Sequence, residues 1–321
     1  MIVLEVEVLF ENVDNVQLNI AKSNRDNEYY TYYNTIEKEL SNYSKFLKDK
    51  IIYCNCDDIL KSEFIYYFMV NFNRFNLKKL IATGLSGYKL EVTKMNSDID
   101  RKEAISLLRR AKKGTLSSND ISVTKLKSIQ GEIKGDYSST ECLELLKECD
   151  IVITNPPFSL FREFLNVLYQ CKKKFLIIGS NLASTYVKNI ERFMKHKLRL
   201  GFNEERAFFK ITKSGKQRAF KVCAHWYTNL AKKYPKFINL IKEYNPVDFP
   251  KYKDTDIINV NSYKDIPKDY YGTIGVPVSF ILYYNPKQFK IVGLSSRCYL
   301  KDKNTGNYRR VFSRVFIERV K

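Results

Sequence analysis

Short, uniformly apolar runs alternating with segments of helical periodicity constrain this chain more than any other feature. The runs at 50–54, 78–83, 151–154 and 174–178 are brief, with polar residues confined to their ends. Strands covered on both faces of a parallel sheet read this way. Between and around them, 59–72, 102–112, 139–148, 159–171 and 187–195 read as helices with apolar residues three or four positions apart, a spacing that buries one helix face. The clearest stripe is Leu160, Phe161, Phe164, Leu165 and Leu168. Residues 35–47 give another helix on Ile36, Leu40, Tyr43 and Leu47, and 132–137 reads as a further strand. The pattern predicts an α/β fold with a mixed, mostly parallel sheet flanked by helices.

Beyond 198 the texture changes. Residues 207–211 and 219–226 flank Lys213-Ser214-Gly215-Lys216 as a hairpin would, and 272–284 suggests another strand pair. Residues 1–27 look like an N-terminal extension, with Ile2, Leu4, Val6 and Val8 in strand-like alternation before a polar break at 24–27. No internal repeat or Gly/Ser linker is visible, so 28–321 is expected to be one domain with embellishments.

Ligands of such sheets bind beyond the carboxyl ends of the strands. One of these ends carries Asn155-Pro156-Pro157-Phe158, directly after the run Asp150-Ile151-Val152-Ile153-Thr154. Two prolines fix φ and stiffen the turn. The Asn155 side-chain oxygen and the Pro156 carbonyl can then accept hydrogen bonds from one NH₂ group, while Phe158 lies against the ring that bears it. An exocyclic amine conjugated to a ring is a poor nucleophile. Two acceptors aimed at its hydrogens favour a tetrahedral nitrogen, whose lone pair can attack a methyl on a sulfonium. Such chemistry rests on positioning and electrostatics and needs no catalytic His or Cys. A base inside a duplex must first be extruded. Phe158 is then the candidate for one face of the base, and Trp226 or Tyr227 for the other.

The charge balance adds a partner. With 55 Lys and Arg against 35 Asp and Glu, the formal net charge is +20, which favours a polyanion such as nucleic acid. Abundant Asn, Lys, Ile and Tyr would also follow from an AT-rich genome, but the charge favours nucleic acid. Seven scattered cysteines fit a reducing compartment. Cys54 and Cys56 stand close, but with only two histidines, His196 and His225, no metal site is expected. No secretory signal or membrane-length apolar stretch is visible, so a cytoplasmic protein without a membrane partner is expected.

Several segments resemble the EcoRI-type adenine-specific DNA methyltransferase family. They are Glu28-Tyr29-Tyr30-Thr31, Tyr53-Cys54-Asn55-Cys56-Asp57-Asp58, Asn71-Phe72, Leu77-Lys78-Lys79-Leu80-Ile81-Ala82, the run at 150–161, and Lys174-Phe175-Leu176-Ile177-Ile178. Later matches are Pro250-Lys251-Tyr252, Ile258-Asn259-Val260-Asn261, Lys264-Asp265-Ile266-Pro267, Gly275-Val276-Pro277 and Asn285-Pro286-Lys287-Gln288-Phe289. The resemblance spans about 28–292, in order. It implies a Rossmann-like fold dependent on S-adenosylmethionine, and methyl transfer to N6 of a flipped adenine in duplex DNA by a monomer. It also implies a restriction–modification system, or an enzyme acting alone. Under it Asn155, Pro156, Pro157 and Phe158 form the catalytic loop. Tyr30, Thr31, Cys54, Asn55, Cys56, Asp57, Asp136 and Asn155 surround the donor.

The chain departs from the family pattern at 97–127 and 201–218, within the segments about 97–127 and 201–226 expected to carry DNA recognition. DNA contacts are expected there and in the C-terminal part, from Arg109, Arg110, Lys112, Lys113, Lys213 and Lys216 beside Phe158, Trp226 and Tyr227. The cations of 102–113 read equally as a solvated helix face. Two other readings stay open: an RNA base methyltransferase using the same loop, and a catalytically degenerate DNA-binding protein on this scaffold.

Overall fold

The computed structural model describes residues 30–127, 129–211, 217–230, 234–295, 297–302 and 305–320. The extension at 1–27 and the turn with Lys213 and Lys216 lie outside the described residues. Those described fall into two compact units, 30–183 with 199–230 and 184–198 with 234–320. The sequence carries no linker signal where the chain passes between them.

In the first unit the strands are β1 (Tyr30–Thr31), β2 (Ile51–Cys54), β3 (Lys79–Thr83), β4 (Tyr88–Val92), β5 (Ile121–Lys125), β6 (Ile151–Thr154), β7 (Lys174–Ser180), β8 (Arg199–Ile211) and β9 (Gln217–Thr228). Its helices are α1 (Tyr33–Leu40), α2 (Ser44–Leu47), α3 (Glu63–Val70), α4 (Arg101–Lys113), α5 (Thr140–Glu148) and α6 (Phe161–Gln170). The sheet order is β1-β8-β9-β7-β6-β2-β3-β4-β5. The centre, β7-β6-β2-β3, is parallel; both flanks are antiparallel. The mixed α/β fold read from the sequence is therefore observed, with a Rossmann-like parallel heart.

Alternate residues of the central strands face opposite layers, as the pleat requires. Ile52, Cys54, Leu80, Ala82, Ile151, Ile153, Leu176 and Ile178 share one core with α1, α3 and α4. Tyr53, Ile81, Val152, Phe175 and Ile177 are buried too, on the face carrying α5 and α6. The helix ends are locally encoded. Asp100 caps α4 by accepting from the Glu103 amide at 2.8 Å, and Gly114 closes it at φ +69°.

In the second unit α7 (Val187–Met194) precedes β10 (Ile258–Asn259), β11 (Ile274–Pro277), β12 (Phe289–Ser295), β13 (Cys298–Lys301), β14 (Tyr308–Val311) and β15 (Arg314–Arg319). A four-stranded sheet runs β10-β11-β15-β12, and β13 and β14 form a separate two-stranded ribbon.

Two expectations are corrected. Residues 132–137 form turns, because Gly131 and Gly135 sit at φ +81° and +75° and the Asp136 amide bonds back to the Ile133 carbonyl. Beyond β3 the sheet instead continues through β4 and β5, antiparallel neighbours joined through α4. The segment 272–284 gives one strand, β11, followed by a 3-10 helix, Val278–Tyr283. There Phe280 and Ile281 are buried on the helical turn, and strand alternation would have split them between two faces.

Candidate active site

Strand order reverses between β2 and β6: β3 lies on one side, β7 on the other. A crevice at such a switch point is where open α/β sheets take ligands. The ends of β2, β3 and β6 are latched there by one buried residue, Asp57, through its carboxylate and its backbone amide. Asp57 Oδ1 accepts from the Ser62 hydroxyl at 2.5 Å, Oδ2 accepts from the Thr154 hydroxyl at 2.6 Å, and the Asp57 amide donates to the Thr83 carbonyl at 2.9 Å. Ser62 also caps α3 through the Phe64 amide at 3.1 Å. The loop after β2 is thus tied to the next helix and to both neighbouring strands.

Glycine is absent from that loop but present beside it. A Cβ on Gly84, just after β3, would lie 2.8 Å from the Asp57 carbonyl oxygen. A Cβ on Gly135 would lie 1.9 Å from the Gly84 carbonyl oxygen. The three loops therefore pack backbone against backbone, as a Gly-rich loop would allow within one segment.

The Asn155 elbow leaves β6 at the same rim. Its Nδ2 donates to the Thr31 hydroxyl at 3.3 Å. Thr31 is buried and held by β1, which pairs with β8 through Thr31–Phe208 and Tyr30–Phe209. Pro156 is buried, and the Pro157 carbonyl accepts from the Leu160 amide at 3.0 Å, opening the turn into α6. Phe158 is half-buried, edge-on to Phe208 with ring centres 6.0 Å apart. The structure thus gathers Asn155, Pro156, Pro157, Phe158 and Thr31 into one neighbourhood, and Asn55, Cys56 and Asp57 onto the adjoining loop.

Residues 17–316 match the family described as adenine-specific methyltransferase EcoRI. The chain belongs to that family. M.EcoRI of Escherichia coli, a type II methyltransferase, is 38% identical over 310 residues, covering 88% of this chain and 90% of its own. A type II methyltransferase of Mycoplasma genitalium is 37% identical over 293 residues, covering 85% and 84%. The M.MpnI methyltransferase of Mycoplasma pneumoniae is 33% identical, covering 85% and 84%. Among solved structures, a putative RNA methyltransferase from Pyrococcus horikoshii aligns with a TM-score of 0.33 at 14% identity, over 64% of this chain and 87% of that one.

In this adenine-specific methyltransferase several expected contacts are placed elsewhere. Trp226 and Tyr227 are fully buried. Strand β9 lies inside the sheet, so consecutive residues enter opposite covered layers. Trp226 meets Phe64 edge-on at 5.9 Å, and Tyr227 packs on Phe161 and donates to the Ser180 carbonyl at 2.8 Å. Neither ring is placed to cover a base. The Cys54 side chain is also core, and burial pushes its thiol well up; only its backbone reaches the loop. Asp136 Oδ1 accepts from the Ser138 amide at 2.9 Å and the Ser138 hydroxyl at 2.5 Å, a local turn that commits one carboxylate oxygen. Arg109, Arg110 and Lys113 are exposed on the outer face of α4, and Lys112 sits 4.4 Å from the centre of the Tyr88 ring. That helix packs on β5, the sheet edge opposite β1. Among the described residues no cluster of His, Cys, Asp and Glu is placed to hold a metal ion, and no helix is long and apolar enough to cross a membrane.

Sequence reasoning missed the Ser62 and Thr154 sides of the Asp57 latch, and Gly84. The available signal was Asp57 followed five residues on by Ser62 at a helix start, an N-cap pattern.

Proposed function

We propose that this methyltransferase moves the methyl group of S-adenosylmethionine to N6 of an adenine flipped out of duplex DNA at a specific site, as the modifying partner of a restriction system. The Asn155-Pro156-Pro157-Phe158 elbow at the strand switch point carries the reading.

The residues present fit the donor. Asn55 is 1% exposed, and its Oδ1 has no hydrogen-bond partner among the described residues. A buried acceptor of this kind is costly unless a ligand donor meets it. Tyr30, Thr31, Asn55, Cys56, Asp57 and the Asp136 loop would hold the donor, which when bound supplies an electrophilic methyl on a sulfonium.

The chain's own residues do the rest. Thr31 takes the Nδ2 side of the Asn155 amide and so sets which way its oxygen faces. Asn155 Oδ1 and the Pro156 carbonyl accept from the adenine amino group and favour its tetrahedral, nucleophilic form. The diproline turn holds both acceptors without reorganisation during the reaction. Phe158, steadied by Phe208, stacks on the extruded base and offsets part of the cost of extrusion, about 1–3 kcal/mol for one aromatic contact. No general base is required, since the surplus proton can pass to water after transfer.

The test is modification mapping by long-read sequencing of DNA from cells expressing the wild-type chain or Asn155→Ala. N6-methyladenine at one recurring sequence, absent with the variant, supports the proposal. Unmodified DNA together with methylated RNA would overturn it.

A further inference from the structure

Strands β12 and β15 begin a long antiparallel hairpin that β13 and β14 continue beyond a corner. The first ladder ends at the pair Ser295–Arg314 and the second starts at Cys298–Val311. Residues 296–297 and 312–313 intervene.

The two faces of the ribbon differ sharply. Cross-strand partners point the same way, so the pairs Cys298–Val311 and Leu300–Arg309 share one face, and Tyr299–Arg310 and Lys301–Tyr308 the other. The first face is anchored: Cys298 and Leu300 are buried in a small core with Tyr252, against Val311 and Phe316. The second face is exposed at Tyr299, Lys301, Tyr308 and Arg310. It interleaves two cations with two tyrosines and carries no acidic residue. Beside it Lys253 lies 5.2 Å from the centre of the Tyr308 ring, with the exposed Asp254 carboxylate 4.0 Å from its Nζ.

At the corner Phe312 is 90% exposed, the largest value among the large apolar side chains of the described residues. Its backbone is nevertheless held. Arg314 is buried, and its guanidinium donates to the Phe312 carbonyl at 3.2 Å, to the Tyr252 hydroxyl at 3.0 Å, to Asn259 Oδ1 at 3.2 and 3.3 Å, and to Asn261 Oδ1 at 3.2 Å. The corner is thus pinned from beneath by a buried cation while the ring above it faces water. A single exposed ring is ordinary on a protein surface; what sets this one apart is that it adjoins a ribbon face of exposed tyrosines and cations.

We propose that this outer ribbon face, Tyr299, Lys301, Tyr308 and Arg310 with Phe312 at its corner, is a docking surface for duplex DNA. The proposal rests on the DNA reading above and deepens it by assigning a second contact region to the C-terminal unit. A two-stranded ribbon is narrow enough to enter a major groove. Lys301 and Arg310 neutralise phosphates, and Phe312 supplies an uncharged contact with the stacked bases or sugars. Arg314 is a positioning residue for the corner.

Charge and apolar contact give different signatures. Binding of a fluorescein-labelled duplex containing the mapped site is followed by anisotropy across a salt series, with circular dichroism as a check on folding. The double variant Lys301→Gln/Arg310→Gln should lower the slope of log affinity against log salt by about 1.8, the value for two lost phosphate contacts. Phe312→Ser should weaken binding roughly tenfold with the slope unchanged, since a stacking contact releases no counterions. A control pair outside the ribbon, Lys264→Gln/Lys290→Gln, should leave the slope near wild type. If wild-type protein binds the duplex and both ribbon variants match it in affinity and slope, the proposal is overturned while the DNA reading stands. If wild-type protein shows no salt-dependent duplex binding, the DNA reading itself fails.

Discussion

Asn155 concentrates the chemistry. Its amide is oriented by Thr31, and its proposed work is done on one amino group. Asn155→Ala should abolish methyl transfer, measured with tritiated donor, while duplex affinity stays near wild type, because phosphate contacts dominate binding. Retained turnover would remove the elbow mechanism. Gly135 tests the loop packing instead. An Ala there is strained at φ +75° and sets a methyl against the Gly84 carbonyl. Gly135→Ala should cost about 3 kcal/mol in urea denaturation and weaken donor binding in calorimetry. The cysteines make a third case. Burial pushes Cys149 up to about 12 and Cys54 well up as well, whereas Cys223 is exposed. A maleimide added to native protein near neutral pH should label Cys223 within minutes and spare Cys54 and Cys149 until the chain unfolds, as peptide mass mapping would show.

Helix α1 and strand β8 meet through one buried side chain. Glu39 accepts from the Phe202 amide at 2.7 Å, the Asn203 amide at 2.8 Å, Asn203 Nδ2 at 2.7 Å and the Tyr43 hydroxyl at 3.1 Å. These bonds bridge the stretch of β8 where its register with β9 shifts, between Leu200 and Glu204. Glu39→Gln puts an amide NH₂ against donors, and should cost about 2 kcal/mol by denaturant unfolding. Because Glu39 also borders the strand that carries β1, catalytic turnover should fall more than global stability alone explains. Such tertiary ties mark the limit of what sequence shows. The central strands were legible because a parallel core demands unbroken apolar runs. The elbow was legible because diproline after a strand has few other uses. The β4–β5 pair was not, since Tyr88-Lys89-Leu90-Glu91-Val92 and Ile121-Ser122-Val123-Thr124-Lys125 are short, half-exposed and separated by α4, and 132–137 competed with them for the strand reading. Trp226 misled for another reason: nothing local says that β9 lies between β8 and β7, where both its faces are covered.

At the scale of the whole chain, charge governs encounter with a polyanion. With a net charge of +20, duplex affinity should fall steeply with salt. For about six to ten phosphate contacts the loss is about 10³–10⁵-fold between roughly 50 and 200 mM. Anisotropy titrations at three ionic strengths would check this, and a flat profile would remove the electrostatic argument. Within the first unit, the Thr31–Asn155 bond spans 124 positions of sequence. Among the described residues the strand that carries Thr31 pairs with β8, whose partner residue Phe208 comes still later in the chain. Contacts that close such long loops tend to form late in folding. After dilution from denaturant, Trp226 should regain its native fluorescence before methyl transfer returns, because the reaction centre matures only when the two ends of the first unit have found each other.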